Sequence, residues 1–317
     1  MDNLIYSLNG TVPIFAVMVI GYLLKKNRML DEDFVAAANR LVFKVGLPVM
    51  IFLDMWKANV NTEFDIKFVL FCFLATAISF ALIWIGAELF LKDKTMIGSF
   101  VQGSFRSSAA ILGLAFIKTI YPNLGMAPLM IIGAVPFYNV ASVVVLTFRG
   151  KDQANVNGSK GIKKALINII TNPIIIGIAL GCVASLIRLK LPVMVTKTLN
   201  MISDVTVPLA LIAIGAGFTF AGAKERKRPA CFATLIKLGL LPMVVIPAAI
   251  FFGYHDQELL AVIIMSAGPA TATGYTMARE MNNDYVLSSY IIVLTTIFSA
   301  FTLTGWIFLA RCLGCLH

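Results

Sequence analysis

Charged side chains are scarce in this chain of 317 residues, at 13% of the sequence, whereas hydrophobic residues make up 59%. A water-soluble domain has about 25% charged and about 45–50% apolar residues. This imbalance excludes an ordinary cytosolic enzyme. A membrane-spanning helix uses about 20 consecutive apolar residues, and the apolar runs of this chain suffice for ten such helices joined by short connections.

The sequence has only two histidines and five cysteines, which leaves little material for a metal centre. Cys312 and Cys315 form a Cys-x-x-Cys pair, but Leu316 follows where the haem-attachment pattern requires histidine. No glycine-lysine pair is followed by Ser or Thr, so a phosphate-binding loop is not expected. We therefore expect no cofactor, no metal and no enzymatic activity.

The apolar runs predict an all-α polytopic membrane protein. No Lys or Arg precedes the first run, so that run lacks the basic region of a cleavable signal peptide and is interpreted as a retained span. The predicted spans are 8–24, 34–54, 67–91, 96–120, 127–148, 164–187, 193–219, 230–253, 258–280 and 285–310.

The net charge of +10 would suggest nucleic acid in a soluble chain. Here the basic residues lie mostly in short connections, so no nucleic-acid partner is expected. Most of them lie in connections 1–2, 3–4, 5–6, 7–8 and 9–10, and the basic side of a membrane protein is cytoplasmic. This predicts a multi-pass protein of the plasma membrane, with both termini extracytoplasmic and the lipid bilayer as a partner.

Five spans in each half give the two halves opposite orientations, which is the inverted-repeat plan of many secondary transporters. The polar stretch 149–164 divides the chain into repeats 1–150 and 151–317. Pro48 and Pro208 lie 160 positions apart, and the same offset leads from Arg106 to the neighbourhood of Pro269. Gly46 with Pro48, and Pro208, are predicted to break spans 2 and 7; the alternative is a tolerated kink with no ligand nearby.

Span 4 carries Arg106 in the middle of an apolar run, followed by Ser107 and Ser108. A charge at this depth is costly and persists where it faces a cavity, a partner or a substrate. Span 9 has small and hydroxylated residues around Pro269, which favours an unwound segment there. If both spans break and cross, Arg106 and the half-helix N-termini favour an anion such as a carboxylate. The alternative is that Arg106 pairs with an acid such as Glu88 as a structural brace.

The residues predicted to bind this substrate share a position at the breaks of spans 4 and 9 or in span 5. They are Arg106, Ser107, Ser108, Asn139, Gly268, Pro269, Thr271 and Thr273. Asn139 either lines the cavity or joins two helices by hydrogen bonding. The acids available for proton coupling are Asp54, Glu88 and Asp204, although each also fits a solvated or paired surface acid. The coupling ion, a proton or sodium, is left open.

Together these motifs resemble the auxin efflux carrier family of membrane permeases. The resemblance is carried by Gly46-Leu-Pro48-Val-Met-Ile-Phe, Gly103-Ser-Phe-Arg106-Ser-Ser, Tyr138-Asn139, Val207-Pro208-Leu-Ala-Leu, Pro269 and Thr295-Thr-Ile-Phe-Ser299. It implies two inverted five-helix repeats, scaffold and transport domains, and broken crossover helices 4 and 9. It also implies substrates such as malonate, malate or indole acetate, and the short central loop resembles prokaryotic carboxylate permeases. Ser108 and Ala115 stand where the family often has Asn and Pro.

The sequence thus predicts a secondary transporter that moves a small organic anion by alternating access. The alternative is a passive channel or facilitator that uses the same cavity. A homodimer is compatible with the sequence, which does not set the oligomeric state.

Overall fold

The computed structural model of the chain describes residues 2–57, 65–109, 126–150, 159–219 and 223–316. Within these ranges the chain is helical and has no β-strand. The α-helices are α1 (Asp2–Lys26), α2 (Glu32–Leu41), α3 (Leu47–Lys57), α4 (Ile66–Phe90), α5 (Ile97–Phe105), α6 (Ala127–Arg149), α7 (Ser159–Ile170), α8 (Pro173–Leu186), α9 (Val193–Gly217), α10 (Ala223–Leu235), α11 (Leu241–Phe251), α12 (Asp256–Ala267), α13 (Thr273–Glu280) and α14 (Tyr285–Cys312).

Several of these helices are long and apolar enough to cross a membrane, which confirms a polytopic membrane protein. In the described ranges six qualify, and a seventh follows if α7 and α8, bent by 54° at their junction, count as one span. The six are Glu32–Lys57, Ile66–Phe90, Pro128–Arg149, Val193–Gly217, Lys224–Phe251 and Tyr285–Cys312. Large apolar side chains lie exposed along them, for example Leu82 and Phe251, as expected of lipid-facing surfaces.

The prolines of spans 2 and 7 act differently from the prediction. A π-helical turn, Val42–Gly46, joins α2 to α3, and the Leu47 amide donates to the Val42 carbonyl across it. The span therefore continues through Gly46 and Pro48. Pro208 lies inside the uninterrupted α9. The predicted breaks at Gly46, Pro48 and Pro208 are wrong, because membrane helices tolerate proline where small local adjustments and packed neighbours satisfy the backbone.

The helices pack in two groups. In the first group, α1 packs on α9, and α3 packs on both α8 and α9; α1 also packs on α14 of the second group and so joins the two groups. The second group contains α4, α5, α6 and α10 to α14, with α4 and α5 against α6 and with α5, α10 and α13 against α14. Glycines allow close approach within the first group, since Gly215 faces the Met18 backbone and Gly177 faces the Pro48 backbone.

Ion pairs join connections that the alternation of spans predicts to lie on one membrane face. The first half supplies Lys25–Glu32 at 2.7 Å and a contact between Arg149 and Glu88. The others are Arg279–Glu32 at 3.9 Å and Arg226–Asp284 at 2.8 Å. On the other face, the Trp56 indole donates to the Leu189 carbonyl at 2.7 Å and the Asp256 amide to the Cys315 carbonyl at 3.1 Å.

Candidate functional site

Two helices end at the same place in the protein interior. α5 ends at Phe105 and α12 at Ala267, and the next residues, Arg106 and Gly268, have extended backbones. Gly268 precedes Pro269, and a residue before proline disfavours the helical conformation. The Ser108 amide donates to the Pro269 carbonyl at 2.9 Å. The breaks predicted in spans 4 and 9 therefore exist and touch each other.

The Arg106 side chain is 5% exposed and lies at this contact. Its Nη2 donates to Asn139 Oδ1 at 2.8 Å and to Thr273 Oγ1 at 3.0 Å, and its Nη1 donates to the Met277 sulfur at 2.8 Å. Among the described residues no carboxylate lies within ion-pairing distance of this guanidinium. A buried cation held only by neutral acceptors is thus left without a counter-charge.

Glu88, the acid considered as a brace for Arg106, lies elsewhere. It contacts Arg149, accepts from the Trp84 indole at 2.9 Å and stands 4.0 Å from Lys94. These are partners at the membrane edge of the helices, and the structure does not bring Glu88 to the breaks. The brace with Glu88 is therefore not found.

Asn139 on α6 has both of the roles that the sequence left open: it lines the cavity and it forms hydrogen bonds within the protein. Its amide nitrogen donates to the Val135 carbonyl at 3.0 Å, which orients its oxygen toward Arg106. It is 1% exposed and also lines the cavity beside the breaks. Thr273, at the start of α13, shares a hydrogen bond of 3.1 Å with Thr271. Three neutral groups thus accept hydrogen bonds from the Arg106 guanidinium, which has five N–H donors in all.

A cavity of about 410 Å³ lies beside Arg106, between the two groups of helices. Its volume falls in the range of small-molecule sites, about 300–1,000 Å³. Six of the eight predicted binding residues line it. Of the other two, Gly268 packs against the Ser107 hydroxyl, and Pro269 lines a smaller neighbouring cavity. The polar lining consists of Asp54, Arg106, Ser107, Ser108, Tyr138, Asn139, Ser203, Asp204, Thr271 and Thr273.

Asp54 and Asp204 line the same cavity from α3 and α9. The sequence suggested surface acids at span ends for both, and Asp204 is indeed exposed while Asp54 is half-buried. The signal that could have placed Asp204 is its position four residues before Pro208, which puts both on one helix face. The contact of Met277 with Arg106 could not be predicted from the sequence, because an apolar residue in an apolar span is expected to pack in the core.

Replacing Thr273 by valine tests the network around Arg106. The variant keeps the side-chain volume but removes one of the two oxygen acceptors of Nη2, so we expect the free energy of unfolding to fall by about 1–3 kcal/mol. Thr302→Val is the matched control, because Thr302 is only half-buried and donates to the Phe298 carbonyl of its own helix. Denaturant unfolding in detergent measures both, and equal effects would contradict the network.

Helices broken at one contact, a buried charge and a cavity between two helix groups are together typical of secondary transporters. Comparison with known sequences agrees with this class. The family model described as "Membrane transport protein" matches residues 6–307. The chain belongs to this family, which is that of the auxin efflux carriers.

Three relatives show how far the similarity extends. "Uncharacterized transporter YfdV" of Escherichia coli (strain K12) is 22% identical over 97% of this chain and 99% of its own length. "Putative malonate transporter" of Rhizobium meliloti (strain 1021) is 24% identical over 95% of this chain and 94% of its own length. An "Uncharacterized transporter" of Methanothermobacter thermautotrophicus is 20% identical over 95% and 97%. The similarity to transporters therefore covers nearly the whole chain.

Proposed function

We propose that the protein is a secondary transporter that moves a small organic anion, a carboxylate, across the plasma membrane. The observation that carries this proposal is the Arg106 guanidinium, which is buried at the cavity wall and whose partners in the described part of the chain are all neutral. A carboxylate would supply the missing negative charge, and its two oxygens match the fork of guanidinium N–H groups. The name of the Rhizobium meliloti relative refers to malonate, and this supports dicarboxylates as the first substrates to test.

The position of the cavity supports transport by alternating access. Asp54 and Asp204 contribute from the first helix group, whereas Arg106, Asn139 and Thr273 contribute from the second. Rocking one group against the other would open such a cavity first to one face and then to the other. The N-terminus of α13 begins at Thr273, and its positive dipole end favours an anion here.

The same proposal includes ten spans in two inverted repeats, 1–150 and 151–317, with both termini extracytoplasmic. Three ion pairs support this topology: Arg149–Glu88 brings connection 5–6 to the end of span 3, and Arg226–Asp284 and Arg279–Glu32 bring connection 9–10 to connections 7–8 and 1–2. The second half of span 4, with Ala115, and residues 151–158 of the central connection lie outside the described residues. The basic residues of these connections favour a cytoplasmic position for this face.

Asp54 and Asp204 are the proposed proton-coupling acids, because they share the cavity with Arg106. Glu88 is not included, since its contacts are with Arg149 and Lys94. A proton bound to either aspartate would lower the negative charge that an entering carboxylate meets. Dimerisation of the protein stays a prediction.

Counterflow in proteoliposomes tests the function. Vesicles loaded with unlabelled malonate, malate, succinate or acetate are diluted into the same compound carrying a radioactive label. We expect transient accumulation of label for at least one dicarboxylate, because an alternating-access site exchanges one bound molecule for another. A channel would equilibrate the label without overshoot, which would favour the facilitator instead. If no carboxylate is exchanged or stabilises the purified protein against unfolding, the substrate class is wrong.

A further inference from the structure

Among the described residues, a second buried cation of the membrane interior is Lys237, which the transport site described above does not use. It lies in a π-helical turn, Ile236–Leu240, between α10 and α11, and its side chain is 0% exposed. Its Nζ donates to the carbonyl oxygens of Ser266 at 3.0 Å, Phe105 at 3.3 Å and Met265 at 3.5 Å. An ammonium group has three N–H donors, and all three therefore have acceptors.

These acceptors are the last carbonyls of the two broken helices. Phe105 is the final residue of α5, and Met265 and Ser266 lie in the last turn of α12. The last four carbonyls of a helix have no partner within the helix. Each helix C-terminus also carries about half a negative charge. Two such ends facing one point amount to about one negative charge, which the single Lys237 ammonium balances.

Two neutral hydroxyl groups also donate hydrogen bonds to carbonyls at the end of α12. The Tyr138 hydroxyl donates to the Met265 carbonyl at 3.1 Å, and the Ser107 hydroxyl donates to the Ile264 carbonyl at 3.2 Å. Among the described residues no carboxylate lies within ion-pairing distance of Lys237. The ammonium is thus held by backbone oxygens at the crossing of two half-helices. In transporters with broken helices, C-terminal ends and unwound carbonyls of this kind coordinate the coupling cation.

We propose that Lys237 is a tethered cation that permanently occupies the position of a coupling metal ion at the crossing of α5 and α12. The site therefore takes no sodium, and transport proceeds without a sodium gradient. Because the helix ends balance the charge of Lys237, the charge of Arg106 remains available to the substrate. The part of this inference that concerns transport rests on the proposed function, whereas the cation site itself does not.

Two substitutions separate the charge of Lys237 from its bulk. Lys237→Ala removes the ammonium and leaves space between the three carbonyls, whereas Lys237→Met removes the ammonium but keeps an unbranched side chain in that space. We expect both variants to unfold at a lower temperature than the unaltered protein. Methylammonium and ethylammonium chloride should restore much of the loss in Lys237→Ala and none in Lys237→Met, with tetramethylammonium chloride as the control for ionic strength.

The rate of counterflow and its dependence on added cations provide a second test, because a purely structural role of Lys237 would not make transport depend on methylammonium. In the unaltered protein, replacing sodium by choline should leave the exchange rate unchanged. In Lys237→Ala the rate should fall by about tenfold or more because buried carbonyls lose their donor, and it should become dependent on added methylammonium. If Lys237→Ala proves too unstable to purify, the unfolding temperature and exchange rate of Lys237→Met decide, because the inference requires both to fall.

The outcomes distinguish this inference from the proposed function. A sodium requirement in the unaltered protein, or a Lys237→Met variant as stable and active as the unaltered protein, would overturn the tethered cation. Destabilisation of Lys237→Ala with no response to any alkylammonium ion would do the same. If alkylammonium ions restore the stability of Lys237→Ala but no carboxylate is exchanged by the unaltered protein, the cation site stands and the substrate proposal fails.

Discussion

Arg106→Ala is expected to abolish both carboxylate counterflow and the stabilisation of the purified protein by carboxylates. The variant removes the only cation at the cavity wall among the lining residues that the structure describes. Loss of one partner of a buried, hydrogen-bonded charge pair costs about 2–5 kcal/mol, so affinity should fall by about 30-fold or more. Thermal unfolding against a malonate titration measures this, because a ligand at 100 times its Kd adds about 2.7 kcal/mol to a folded protein.

The stability of the ligand-free Arg106→Ala protein separates a binding role from a structural one. Arg106 has no acidic partner within the described chain, so its removal leaves no buried carboxylate unpaired. We expect a modest loss of stability in the absence of ligand and a large loss of response to ligand. A response equal to that of the unaltered protein would show that Arg106 serves only the packing of α5, α6 and α13.

Two controls accompany this variant. Arg106→Lys keeps the charge but not the planar fork, so it should retain weak binding with reduced discrimination between carboxylates. Arg40→Ala removes an arginine from α2 that is exposed, and it should bind malonate as the unaltered protein does. If Arg40→Ala also lost the response, a general effect of positive charge rather than the site would explain the result.

The positions of the helix breaks could be predicted from the sequence because each violates a local rule. Arg106 places a charge in an apolar run, and Pro269 removes an amide from a helix. Both features act within one or two turns, so no knowledge of the neighbouring helices was needed. The prediction that these breaks lie together depended on the matched spacing of the two halves, and the hydrogen bond between Ser108 and Pro269 confirms it.

Features that depend on contacts between distant spans were missed. Pro208 carries the same local signal as Pro269, yet α9 continues through it, because the outcome depends on what packs around the freed carbonyl. Lys237 could be placed in a span but not at the ends of α5 and α12, since its acceptors are backbone atoms of other spans. Every residue has a backbone carbonyl, so the identity of a residue does not indicate whether its carbonyl accepts a hydrogen bond from Lys237.

Gly215→Ala is expected to produce the largest loss of stability of any single methyl addition considered. A Cβ atom at Gly215 would overlap the carbonyl oxygen of Met18 in α1, and one at Gly21 would likewise overlap the Ile212 carbonyl in α9. Both overlaps involve backbone atoms, which no rotamer change relieves. Overpacking costs about 1–3 kcal/mol, and we expect the upper end of this range because α1 and α9 would have to separate.

Gly86→Ala is the matched control on α4, since nothing lies within 4 Å of a Cβ built there. Removing a glycine from the middle of a helix gains about 0.5–1 kcal/mol, so this variant should be slightly more stable than the unaltered protein. The two substitutions add the same group and should shift the free energy of unfolding in opposite directions. Equal shifts would show that the α1–α9 crossing is not tightly packed, and the first helix group could not then act as one rigid wall of the cavity.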